Sequence, residues 1–365
     1  MNNIHAMYVH IPFCEHICGY CDFYRIIYNQ KTVDDFLLSL KREILSFTIP
    51  NKMKTIYIGG GTPTALNDQQ FDLLLSYFDE FCDNDTEYTV EANPESLTIE
   101  KLRIMKKHHV NRLSIGVEST DDDVLVFINR FHTYQDVVEC VKNARMEGFD
   151  NISFDLILGL PHVSKRALLK DVDNLLMLNP EHISCYSLTI HEHTRFHAMK
   201  YVERSSDYMR KLYDLVNKKL EDNGFIHYEV SNWAKENKES RHNITYWKDE
   251  EYYGFGPGAA GYIHPRRYTN GANVFKYNKG EYDRTEEIVT LEDDFVYYVM
   301  LNLRTNQGID FSEFEKRFGY KLEEKYKSVI DKHVKNKDLK VKNNSLIPTY
   351  KGMMILDQII LDFIL

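Results

Sequence analysis

No stretch of the 365 residues approaches the roughly 20 apolar side chains that a membrane-spanning helix needs. The most apolar segment, 353–365, is interrupted by Asp357 and Asp362 and reads as a terminal core helix. The opening residues, MNNIHAMYVHIPFC, lack the basic patch and apolar stretch of a secretory leader. Positive charge is also in deficit: 45 Lys and Arg face 55 Asp and Glu, a formal charge of −10. That balance argues against a nucleic-acid partner. Internal repeats and low-complexity tracts are missing, which excludes solenoids and arrays. A disulfide framework is missing too. Of the six cysteines, Cys82, Cys140 and Cys185 are isolated, while Cys14, Cys18 and Cys21 crowd together. This distribution suits one metal site in a reducing compartment, so the expected location is cytoplasmic. A peripheral contact with a membrane surface is left open.

What is present is an ordinary globular balance, 43% hydrophobic and 27% charged, with 25 Tyr and 20 Phe. The aromatics fit either a compositional bias or a roomy site for a flat ligand. Across the first two thirds of the chain, short β-rich runs alternate with amphipathic helical patterns. Strands are expected at 7–13, 55–58, 88–91, 112–116, 151–156 and 182–188. Helices are expected at 33–47, 68–81, 99–108, 134–147, 165–178 and 207–223. Such alternation implies a parallel sheet with crossover helices, and six units suit an open barrel. The expected fold class is therefore α/β, a partial (β/α)6 barrel over residues 1–235, followed by a smaller α+β domain over 236–365. Ligands in such folds sit at the carboxyl ends of the strands.

The central motif is Cys14-x-x-x-Cys18-x-x-Cys21, directly after the first strand. A [4Fe–4S] cube normally takes four thiolates, so three local ones leave one iron open for an outside ligand. The alternative is a zinc tetrahedron completed by His10 or His16. Further polar and Gly signals follow the later strands. Gly59-Gly60-Gly61-Thr62-Pro63 lets a backbone approach a ligand and present N–H groups to a carboxylate. Glu91, Glu118 and Asp155 stand at the ends of the third, fourth and fifth strands.

Tyr8-Val9-His10-Ile11-Pro12-Phe13-Cys14 through Cys21-Asp22-Phe23 resembles the coproporphyrinogen oxidase-like branch of the radical S-adenosylmethionine (SAM) superfamily. The resemblance covers nearly the whole chain and is strongest to the HemW type of heme chaperone. It implies that Cys14, Cys18 and Cys21 hold the cluster and that SAM binds its open iron. It places Tyr8, Tyr20, Gly60, Gly61, Thr62, Glu91, Glu118, Arg130 and Asp155 around SAM. The segment Arg241-His242-Asn243-Ile244-Thr245-Tyr246-Trp247 matches the HNxxYW motif of that type. It assigns His242, Asn243, Tyr246 and Trp247 to heme, with His242 as a candidate axial ligand. The same residues could instead form a packed hinge between domains.

The chain departs from the family pattern at several positions. Phe23 stands where the oxidase carries a further Cys. Glu118 replaces a usual Gln, Asn129 a usual Gly and Ala260 a usual His. His191-Glu192-His193 replaces Glu-Pro-Gly. The resemblance implies heme or porphyrin as ligand and client hemoproteins, such as respiratory enzymes, as partners. Two other functions share the same motifs: an oxygen-independent coproporphyrinogen III oxidase and a radical SAM enzyme that opens heme.

Overall fold

The computed structural model describes residues 4–49 and 52–364. Met1–Asn3 of the opening stretch and Leu365 at the end of the last expected helix lie outside the described residues.

The chain opens with strand β1 (Ala6–Ile11), whose residues are almost all buried. The two-residue strands β2 (Phe13–Cys14) and β3 (Ile26–Ile27) pair in parallel and pinch the cysteine loop between them. Helix α1 (Gln30–Leu45) follows, started by Asn29, whose side chain accepts from Thr32 N. Val33, Phe36, Leu37, Leu40 and Ile44 form its buried stripe, the spacing expected from the sequence. Strand β4 (Thr55–Gly60) leads to α2 (Asp68–Ser76), which begins with a capping box between Asn67 and Gln70. Strand β5 (Glu87–Ala92) leads to α3 (Ile99–Lys107), and β6 (Arg112–Glu118) to α4 (Asp122–Phe127) and α5 (Tyr134–Met146). Strand β7 (Ile152–Leu158) is followed by α6 (Lys165–Met177). Strand β8 (His182–Ser187) is followed by α7 (Arg195–Ala198) and α8 (Ser206–Glu221).

Strands β1 and β4 to β8 run parallel and adjacent, as the strand–helix alternation requires. Three further strands widen the sheet. Strand β10 (Asn232–Ala234) adds antiparallel to β8, and β9 (Ile226–Glu229) pairs antiparallel with β10. After helix α9 (Arg241–Trp247), strand β11 (Tyr253–Phe255) returns to pair in parallel with β1. The result is a nine-stranded sheet with β11 at one edge and β9 at the other.

The expected boundary at residue 235 does not divide the hydrophobic packing. Tyr253, Phe255, Val274 and Tyr277 belong to the same core as the barrel strands, and a second core begins at Phe295. The pull is physical: β1 would be an open edge without β11, and an uncovered edge of a buried sheet leaves backbone groups unpaired. Beyond it lie two small antiparallel sheets and a helical cluster, the smaller C-terminal domain. No helix among the described residues is long and apolar enough to cross a membrane.

Candidate functional site

The site lies at the carboxyl ends of β1 and β4 to β8, around a cavity of about 400 Å³. Cys14, at the end of β2, is buried, while Cys18 and Cys21 are half-buried. The loop between them is tied to the body at several points. Gly19 N donates to Ile128 O and Phe196 N donates to Gly19 O. Arg25 donates from Nη1 to Phe23 O at 2.6 Å and from Nη2 to Cys21 O at 2.5 Å. Asn129, held at φ 64°, donates to Ile17 O at 2.6 Å. This is a use for Asn where the family pattern has Gly: Asn tolerates the left-handed conformation and adds an amide anchor.

The thiols receive hydrogen bonds. Thr62 Oγ1 donates to Cys14 Sγ at 3.5 Å, and Arg130 Nη1 to Cys18 Sγ at 3.6 Å. Burial pushes the Cys21 thiol up to about 11, against the nearby Arg25 charge. Burial raises Cys14 as well, offset by Thr62. A metal centre binding them must displace these protons.

The geometry speaks against the zinc alternative. His10 is buried with both ring nitrogens engaged, Nδ1 with Tyr8 Oη at 2.9 Å and Nε2 with Tyr24 O at 2.8 Å. His16 stacks on Phe131, ring centroids 3.7 Å apart. Among the described residues no three His, Cys, Asp or Glu side chains converge as closely as one metal ion requires.

Behind the cysteine loop, β4 ends in Gly59, Gly60 and Gly61. Gly60 has φ 105°, and a Cβ there would lie 2.4 Å from the His10 ring. Its N–H donates to Glu91 Oε2 at 2.9 Å, and Tyr57 Oη donates to Glu91 Oε1 at 2.8 Å. Asn93 bridges to Thr62 Oγ1 at 3.2 Å. Ser114 donates to Asp155 Oδ2 at 3.5 Å, while Asp155 Oδ1 is buried without a partner. Glu118 takes φ 66° where β6 bulges, which turns its carboxyl inward toward Tyr20 and Arg130.

Three carboxyls therefore share one interior. Burial pushes Glu91 up to about 7 against the Tyr57 hydrogen bond, and Glu118 up to about 7 against the Arg130 charge. Burial also raises Asp155, offset by Ser184 and Arg112. Burial pulls Arg130 down, but Tyr20, Cys18, Glu118 and Glu95 outweigh it and raise the guanidinium. The interior has spare acceptors and carboxyls that ionise more readily beside a cation. A ligand with a sulfonium, an ammonium and ribose hydroxyls meets those demands.

The cavity wall gathers Cys14, Cys18, Cys21, Tyr20, Gly60, Gly61, Thr62, Glu91, Glu118, Arg130 and Asp155. Tyr8 is not on the wall; its hydroxyl is taken by His10. Tyr57, Arg25, Asn93, Ser114, Tyr186 and His191 line the cavity without having been singled out. For Tyr57 the signal was available: it precedes the glycines by two positions, on the same strand face as Gly59.

The structure places the heme candidate His242 inside the protein and off the cavity wall. His242 is 1% exposed, on a helix whose first N–H groups are capped by the Glu87 carboxylate. Its Nδ1 pairs with Thr55 Oγ1 at 2.8 Å and its Nε2 with Tyr246 Oη at 2.7 Å. The ring stacks on Tyr57 at 5.1 Å, and burial pushes its pKa down to about 3. Both nitrogens of this buried imidazole are thus engaged within the protein. Asn243, Tyr246 and Trp247 share this helix and are also off the cavity wall. Trp247 instead lies beside the buried Glu229 carboxylate.

Comparison with known proteins matches these features. The Radical SAM superfamily pattern covers residues 8–175, and the HemN C-terminal domain pattern covers residues 289–355. The chain shares the fold of the solved coproporphyrinogen III oxidase (HemN) from Escherichia coli. The TM-score is 0.85 at 22% identity, over 99% of this chain and 90% of that one. The fold and site thus define a radical SAM protein with a HemN-type C-terminal domain. The chain is 38% identical over 340 residues to the heme chaperone HemW of Bacillus subtilis (strain 168), covering 89% of this chain and 90% of the relative. It is 37% identical over 371 residues to heme chaperone HemW of Lactococcus lactis, covering 99% and 97%. The chain belongs to the HemW family.

Proposed function

We propose that this chain is a heme chaperone that carries a [4Fe–4S] cluster on Cys14, Cys18 and Cys21, binds SAM in the adjoining cavity, and delivers heme to client hemoproteins such as respiratory enzymes. The observation that carries the reading is the similarity to a named heme chaperone along 99% of the chain. When bound, the cluster supplies an electron to the SAM sulfonium. The chain's own part is positional. Thr62 and Arg130 donate to cluster thiols, the glycine turn presents its edge to the methionine end, and Asp155 offers its spare oxygen to a hydroxyl. Tyr20 and Arg130 frame the Glu118 side.

The coproporphyrinogen oxidase reading shares the fold, and fold alone does not define the reaction. Phe23 separates the two, since the oxidase pattern has Cys there. The test is anaerobic reconstitution of the cluster, then addition of ferric heme or, separately, of coproporphyrinogen III with SAM and reductant. The expected result is stoichiometric heme binding, transfer of that heme to an apo-hemoprotein, and no protoporphyrinogen. Formation of protoporphyrinogen, or no heme uptake, would overturn the reading.

A further inference from the structure

A protein that receives heme needs an imidazole or equivalent donor that can reach iron, and His242 is buried with both ring nitrogens engaged. Two histidines line the cavity beside the cysteine loop, His16 and His191. His16 sits between Cys14 and Cys18 and is stacked on Phe131. His191 stands across the mouth, on the segment between β8 and α7, which carries no thiol. Its side chain is 49% exposed, and Nε2 lies 3.3 Å from Asp22 Oδ2, next to Cys21. A carboxylate at one imidazole nitrogen is the arrangement that orients ligating histidines and strengthens the other nitrogen as a donor. No hydrogen bond engages Nδ1 of His191 among the described residues.

The surroundings suit a flat apolar ligand. Phe23, adjacent to Asp22, lines the same mouth with 63% of its surface exposed. Tyr186 at the end of β8 is 44% exposed, and Leu188 continues that wall. Large aromatics left uncovered around a cavity mouth mark a ligand or partner surface, and an aromatic face is a good platform for a macrocycle. The cavity itself, about 400 Å³, has the size of a site for one small molecule. A porphyrin therefore belongs at the mouth, above the nucleotide, rather than beside it.

We propose that His191 is an axial ligand for heme iron at this mouth, with Phe23 against the macrocycle, so that heme is seated over the cysteine loop and closes the SAM cavity. The seat rests on the heme-chaperone reading. Binding is a coordination step: a lone pair of the imidazole replaces a weak ligand on ferric iron, and no electron is transferred. His191 belongs to the His-Glu-His segment that replaces the family's Glu-Pro-Gly, so the ligand is a property of this chain rather than of the motif on α9.

The test uses the full chain with its cluster reconstituted, titrated with ferric heme under anaerobic conditions. Heme absorption and electron paramagnetic resonance are read for the unsubstituted protein, His191→Ala and His193→Ala. His191→Ala is expected to bind heme at least tenfold more weakly and to lose the imidazole-ligated spectrum. Free imidazole should restore that spectrum, and cluster absorbance should be unchanged, which shows that the fold is intact. His193→Ala, two residues along the same exposed segment, should behave as the unsubstituted protein. Identical spectra and affinity for His191→Ala would overturn the seat while leaving the chaperone reading standing. Failure of the unsubstituted protein to bind heme would overturn both.

Discussion

Arg130 donates to Cys18 Sγ at 3.6 Å from a position that is 7% exposed, with Glu118 and Glu95 among its charge partners. One buried cation thus links the middle cysteine to the carboxylate side of the cavity. Removing it strands Glu118 without its compensating charge. Arg130→Met is expected to lower the stability of the cluster-free protein by about 3 kcal/mol or more. Urea unfolding followed by tryptophan fluorescence checks this, and an unmoved midpoint would refute it.

The two sets of cysteines should separate cleanly. Cys18→Ala is expected to abolish the visible absorbance of the reconstituted cluster and reductive SAM cleavage. Cys140→Ala should keep both, because Cys140 is a buried helix-face thiol that burial pushes up to about 12. Its cost should be confined to stability, about 1 kcal/mol for a small buried side chain. Loss of the cluster in Cys140→Ala would contradict the assignment.

Gly60 has φ 105° and the His10 ring where a side chain would go. Gly60→Ala is expected to cost about 2 to 4 kcal/mol from backbone strain and crowding together. It should also weaken SAM binding by displacing the N–H that meets Glu91. Calorimetric SAM titration of the variant is the check; full affinity would show that the turn is merely structural.

Glu91 has its pKa raised by burial to about 7 from an ordinary value of 4.5. The unfolded chain therefore loses this proton earlier than the folded one. The group's contribution is neutral below about pH 4.5, becomes increasingly destabilising up to about pH 7, and levels off above that. A cationic ligand favours the ionised form, so SAM should bind about tenfold more tightly at pH 8 than at pH 6, with proton release. Glu91→Gln should reduce that dependence, leaving the part carried by Glu118, which burial raises to about 7 in the same cavity. A wild-type affinity that does not change between these pH values would contradict it.

His242 is the inner pivot of α9, bonded to Thr55 on β4 and to Tyr246 on its own helix. His242→Phe leaves two hydroxyls unpaired in the interior and is expected to cost about 1 to 3 kcal/mol. The heme absorption spectrum should not change. A lost heme spectrum with unchanged stability would restore His242 as the ligand.

The strand–helix alternation was legible because each barrel helix carries a clear stripe, as in Val33, Phe36, Leu37, Leu40 and Ile44 of α1. The parallel order followed from connection lengths. Strand β11 was not legible: Tyr253–Phe255 is three residues long and carries no pattern that points to β1 across the whole barrel. The same holds for the domain boundary, which depends on that pairing. At the site, residues just past strand ends could be read in sequence, since that is where the topology opens. The surroundings of His242 could not, because motif spacing says nothing of whether its ring nitrogens are already engaged. His191 was noted only as a departure; its closeness to Asp22 joins residues 169 positions apart in a loop with no periodicity.

The most direct test is metal and sulfide analysis of the chain isolated and reconstituted without oxygen, beside Cys18→Ala. The account predicts about four iron and about four sulfide per chain, with an absorbance change when SAM is added, and loss of the centre in the variant. Zinc at one ion per chain, or iron retained in full by Cys18→Ala, would contradict it.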